Sequence, residues 1–171
     1  MTVGLSSTVM LSMAQGTVAS TTKSANPLLS PSSLSFGAPD FSRIKANDYL
    51  SALEAAIAQQ RKAINAIAES KQSPTFRNTI LAYENSGKLL DRVSSIFFCL
   101  TAADKTPEIA ATEKAIMPQL TQLGNDISFN DKLFSRVKYV YDHELTKLKG
   151  EDRRLLEETY KGFVRDGALL S

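Results

Sequence analysis

From Asn47 onward apolar residues recur at intervals of three, four and seven, as Leu50, Leu53, Ile57, Ile64 and Ile67. That spacing lines one face of an α-helix, with Gln60 the single polar interruption. Asn47 or Asp48 can cap its start by accepting backbone N–H groups, and Ser73-Pro74 is expected to end it, because proline disfavours helix in the residue before it. A second helical region is expected from Phe76 to Ala103, with Leu89, Val93, Ile96, Phe97 and Leu100 on its stripe and a break at Ser86-Gly87. Thr106-Pro107-Glu108 has the chemistry of a helix start: a capping hydroxyl, a proline suited to the first turn, and an acid at the positive end of the dipole. The stripe that follows is Ile109, Ile116, Leu120, Leu123 and Ile127, and Pro118 within it is expected to kink the helix. Asn130 can cap a fourth helix bearing Leu133, Phe134, Val137, Val140 and Tyr141. Gly150 separates that helix from a fifth, bearing Leu155, Leu156, Tyr160, Phe163 and Val164. No sustained two-residue alternation occurs, so the pattern predicts an all-α fold of about five helices packed antiparallel through short connections.

The start of the chain reads differently. Residues 26–40 hold Pro27, Pro31 and Pro39 among four serines, a composition that suggests an extended arm over 26–46, ahead of a helical region over 47–171. Residues 1–25 form a leader rich in Ser and Thr, with no charged residue before Lys23. Its weak apolar patch cannot span a membrane. Val18-Ala19-Ser20 would suit signal cleavage but the basic start of a secretory signal is missing, so the leader is expected to be either a degraded signal peptide or a disordered tail, and the protein periplasmic or cytoplasmic accordingly.

At 171 residues, 43% hydrophobic and 22% charged, the chain can bury a sizeable core as one domain. Twenty Lys plus Arg against 18 Asp plus Glu leave a net charge of +2, too small for a dedicated nucleic-acid binder. The densest basic stretch, Arg136 to Arg154, interleaves Asp142, Glu144, Glu151 and Asp152 and is expected to be a solvated helix face. The single cysteine, Cys99, excludes an internal disulfide, and its place in Ile96-Phe97-Phe98-Cys99-Leu100 predicts burial as a small hydrophobe.

Little in the chain has the pattern of catalysis. Metal hydrolysis by an HExxH helix needs two histidines one turn apart and a glutamate to activate water, and the only histidine here lies in His143-Glu144-Leu145-Thr146-Lys147. A lysine ammonium stands where the second ligand belongs. Neither a GxSxG elbow nor a glycine-rich phosphate loop is present, and Glu151-Asp152 and Glu157-Glu158 read as solvated helix charges beside Arg153 and Arg154. Phe97, Phe98, Phe134, Tyr139, Tyr141, Tyr160 and Phe163 are expected to be mostly core, although Phe97 and Phe98 point to neighbouring faces of one helix.

Residues 74–104, PTFRNTILAYENSGKLLDRVSSIFFCLTAAD, closely resemble a segment near the N-terminus of the thimet oligopeptidase and dipeptidyl carboxypeptidase family of zinc peptidases. The resemblance extends upstream through Asn26-Pro27-Leu28-Leu29, Phe36-Gly37-Ala38-Pro39-Asp40-Phe41 and Leu53-Glu54-Ala55-Ala56-Ile57. Downstream it continues through Asn125-Asp126-Ile127 and Leu133-Phe134-Ser135-Arg136-Val137. The segment Asp91-Arg92-Val93-Ser94-Ser95-Ile96-Phe97-Phe98 looks closer to the dipeptidyl carboxypeptidases. The resemblance implies an arm ordered against a helical body, and N-terminal helices forming one wall of a deep channel that admits short oligopeptides. It implies zinc in the full-length family, held by an HExxH helix and a further glutamate that lie far downstream in longer chains. It therefore assigns no catalytic, cofactor-binding or metal-ligating residue to this chain, and no cofactor within it.

Two functions are compatible with that resemblance. One is the N-terminal fragment of a peptidyl-dipeptidase, a truncated part of a larger helical peptidase and inactive alone. The other is a helical binding module that pairs with a separately encoded catalytic part, or a pseudogene product without a role. The ending Leu169-Leu170-Ser171, straight after an apolar stripe, raises the expectation of an interrupted or split gene.

Overall fold

A computed structural model describes residues 26–168; the leader and Leu169–Ser171, on which the export and truncation expectations bear, lie outside the described residues. Among the described residues the regular structure is helical. The five long elements are α1 (Ala46–Ala68), α3 (Lys88–Ala103), α4 (Pro107–Ser128), α5 (Asp131–Glu144) and α6 (Gly150–Arg165). Between α1 and α3 run a π-helical turn (Phe76–Leu81) and the short α2 (Ala82–Ser86).

Helix α1 is the hub, packing on α3, α4 and α5 through Tyr49, Ala52, Leu53, Ala56, Ile57, Ile64 and Ile67. The Tyr49 ring lies 5.7 Å from that of Phe97, and at the other end Gln60 meets Gly87, so α1 and the α2–α3 pair run antiparallel. Gln60 thus has a partner across the stripe it interrupts: its Nε2 lies 3.2 Å from where a Cβ on residue 87 would sit. The glycine that interrupts the second helical region allows this close approach. Glu54 pairs with Gln119 and Arg61 with Asp126, which sets α4 in the same direction as α1, as alternation along the chain requires. Helix α6 packs antiparallel to α5, with Phe134 near Phe163 and Tyr141 stacked 4.0 Å from Tyr160.

Several boundaries differ from expectation. Asp48 caps α1 from inside the first turn, its Oδ2 accepting the Lys45 N–H at 2.8 Å. Helix α1 stops at Ala68, ahead of Ser73-Pro74, where the chain turns at Glu69 and its next carbonyls are drawn to a side chain of α5. In the second region Leu90, with Val93 and Phe97, is buried, while Leu89, Ile96 and Leu100 are half-buried, so the stripe is rotated slightly from the expected one. Helix α4 runs unbroken through Pro118, which is exposed, so water can serve the carbonyl that proline leaves without a donor. Thr106 and Asn130 cap as expected, with Asn130 Oδ1 accepting from Leu133 at 2.9 Å.

The arm is held against the body despite having only two 3-10 turns, Pro27–Leu29 and Ser35–Gly37. Leu28 is buried, Asn26 Nδ2 donates to the Asp48 carbonyl and Ser51 Oγ, and Arg92 Nη2 donates to the Leu28 carbonyl at 3.0 Å.

Candidate functional site

The His143-Glu144 pair sits at the last turn of α5, where both side chains are committed to structure. His143 stacks on Tyr139 with ring centroids 4.1 Å apart, and its Nδ1 lies 2.8 Å from the Tyr139 carbonyl oxygen. Glu144 Oε2 accepts the N–H of Phe76 at 2.9 Å, so the carboxylate caps the π-helical turn at its positive end. A zinc ion fits these residues poorly: one imidazole is backed by a carbonyl, the carboxylate is occupied, and Lys147 carries a positive charge. Among the described residues no group of three or more His, Cys, Asp or Glu is arranged to hold a metal ion.

The remaining candidates separate in the same way. Glu157 pairs with Arg153 and Glu158 with Lys161 along the outer face of α6, each carboxylate answered by its own helix. Phe97 is fully buried, while Phe98 is half-buried and meets it edge-on at 5.3 Å. Phe134, Tyr160, Phe163 and Tyr83 form one aromatic cluster joining α2, α5 and α6. Burial, with Asp166 and Glu84 nearby, pushes the Tyr83 hydroxyl above its ordinary range. Tyr139 is exposed.

Cys99 is exposed, against the expected burial. It follows Phe97 by two residues, about 200° around the helix, which turns it away from the face that Phe97 buries. An apolar neighbourhood in sequence did not give an apolar neighbourhood in space.

Arg136 departs furthest from the solvated face expected for the 136–154 stretch, because it is buried. Its Nη1 donates to the carbonyls of Ser70 and Gln72 at 3.0 and 2.9 Å, and its Nη2 reaches Asn78 Oδ1 at 3.3 Å. One guanidinium thereby ties α5 to the exit of α1 and the start of the π-helical turn. Its charge meets carbonyls at the negative end of α1, and burial lowers its pKa from the ordinary arginine range. The signal was present in sequence: Arg136 lies three residues after Leu133 and four before Val140, on the buried stripe.

A recess outside these clusters lies between the arm and α3, a cleft of about 210 Å³ lined by Ser30, Ser32, Asp40, Arg43, Arg92 and Ile96 among others. Asp40 accepts the Ser42 hydroxyl and Arg92 holds the arm, so the cleft offers polar contacts but neither a nucleophile–base pair nor an acid–base couple.

No family model matches the chain. It is 42% identical over 150 residues to the dipeptidyl carboxypeptidase of Salmonella typhimurium (strain LT2), an alignment that covers 86% of this chain and 22% of that protein. It is 42% identical over 147 residues to the dipeptidyl carboxypeptidase of Escherichia coli (strain K12), covering 85% of this chain and again 22% of the relative. The chain therefore spans about a fifth of the length of these relatives.

Proposed function

We propose, with the chain's homology to the dipeptidyl carboxypeptidase family as premise, that it is a helical scaffold region of a metallopeptidase that releases dipeptides from the C-termini of oligopeptides. The hydrolytic residues, and the zinc they would hold, belong to polypeptide beyond this stretch. One observation carries the reading: 42% identity runs across 86% of the chain yet spans only 22% of the relative. The local chemistry supports it, since the one HE dipeptide is consumed by a helix cap and a ring stack. In this role the helices contribute shape, a rigid wall beside a peptide path, and the chemistry is done elsewhere.

The test is hydrolysis of a blocked tripeptide by the purified 171-residue chain with added zinc. No turnover is expected. Turnover that survives purification and vanishes with a chelator would refute the reading.

A second reading, a binding module that pairs with a separately encoded catalytic part, is favoured by the exposed apolar residues of the arm. The two differ in whether the catalytic polypeptide is joined or separate, and both require a complementary surface.

A further inference from the structure

We propose that the arm, through Leu34, Phe36 and Phe41, is the surface that docks onto polypeptide homologous to the part of the dipeptidyl carboxypeptidases that this chain does not span. The proposal rests on the reading above and names the interface that it leaves open.

Among the described residues, exposed large apolar side chains are concentrated here. Leu29, Leu34, Phe36 and Phe41 lie within thirteen consecutive residues, whereas Met117, Phe129 and Tyr139 are distributed singly over α4, its C-cap and α5. Scattered exposed apolar residues are ordinary on a folded surface; a concentrated set marks a contact. Residues 26–39 also carry no charge at all, unlike the helix faces around them. Charge depletion with aromatic enrichment is the composition of an interface centre.

Phe36 is the sharpest feature. Its relative exposure is 108%, and its backbone lies at φ 58° and ψ 16°, in the left-handed region. A bulky residue there is strained, and among the described residues nothing offsets the strain by burying the ring. The arm is nevertheless no loose tail, because Leu28 is buried and Asn26 and Arg92 fix its start to α1 and α3. An anchored segment presenting apolar rings loses little further entropy when a partner covers them.

The occupant follows from the relatives. About four-fifths of a relative's length has no counterpart in this chain, and a region built to lie against that polypeptide needs one apolar face for it. In a peptidase of one continuous chain the contact is internal; in a divided one it is the association surface.

The experiment co-expresses the full 171-residue chain with the Escherichia coli relative's polypeptide lacking its aligned segment, then measures co-purification and dissociation constants. The arm variant is Phe36→Ser with Phe41→Ser, and the control is Met117→Ser with Tyr139→Ser. Wild type and control are expected to co-purify, and the arm variant to bind about a hundredfold more weakly, roughly tenfold for each apolar anchor removed. Amide exchange over residues 29–41 is expected to slow in the wild-type complex, a readout that stands even where the variant folds badly. Binding undiminished in the arm variant, or exchange unchanged over the arm, overturns the assignment and leaves the scaffold role intact. No association of the wild-type chain overturns the assignment and the pairing with a catalytic part together. Self-association that the arm variant abolishes, without binding to the relative's polypeptide, assigns the arm to a second copy and overturns the proposal.

Discussion

Replacing Arg136 with methionine tests the claim that one buried guanidinium joins α5 to the exit of α1. Methionine keeps much of the apolar stem, so packing changes little and the loss falls on the hydrogen bonds. Two short bonds run from the cation to the Ser70 and Gln72 carbonyls, with longer ones to Asn78 and the Thr79 hydroxyl. A hydrogen bond from a charged donor is worth about 1.5–3 kcal/mol. Because Gln72 is exposed and Ser70 half-exposed, water can replace part of what the carbonyls lose. Removing the side chain also relieves the desolvation of an arginine that no carboxylate among the described residues partners. The net cost is therefore nearer one strong bond than two, about 2–3 kcal/mol. With a urea slope of about 2 kcal/mol/M for a domain of this size, the midpoint falls by roughly 1–1.5 M. Arg136→Lys, with a point charge that cannot span four acceptors, recovers less than half of the loss. Urea unfolding followed by circular dichroism at neutral pH is the assay. A midpoint for Arg136→Met within 0.2 M of wild type would refute the reasoning and make Arg136 a replaceable core residue.

Helix caps give a graded comparison: Asn130→Ala, which removes a 2.9 Å bond, is expected to cost about 1 kcal/mol, and Thr106→Ala, with its long 3.4 Å bond, less than half of that. Equal costs in thermal unfolding would contradict the geometry. Cys99 is expected to react with a chromogenic disulfide in the native protein at a rate near that of a free thiol, and a thiol silent until denaturant is added would show it is covered. The Gln122 amide and then Arg61 hold the Asp126 carboxyl below the ordinary range, so its contribution is present above the unfolded pKa and is lost as pH falls through the folded one. The stability difference between wild type and Asp126→Asn seen at pH 6 should shrink below about pH 4. A difference unchanged at pH 3 would show that the α1–α4 contact does not depend on that charge.

The all-α class, the order of the long helices and their caps were legible in the sequence, because period, proline and capping chemistry act within a few residues of one another. Thr106-Pro107 and Asn130 start helices for local reasons that no distant contact needs to supply. The resemblance carried by residues 74–104 was equally legible, and identity to the dipeptidyl carboxypeptidases bears it out. Distances across the fold were not. Helix α1 ends at Ala68 where Arg136, 66 residues beyond Ser70, gathers the next carbonyls. Glu144 caps a turn that begins 68 residues earlier, which is why the HE dipeptide has a structural use that local spacing could not reveal. Cys99 and Arg136 exchanged their expected places because burial depends on which face a neighbouring helix covers, and residue type sets only the cost of being there. Phe36 shows the same division: its sequence reads as part of an extended, proline-rich arm, and only the folded chain shows an exposed ring in a left-handed backbone. Short-range chemistry chose the helices, and long-range packing decided which of their side chains hold the protein together and which remain free to meet another surface.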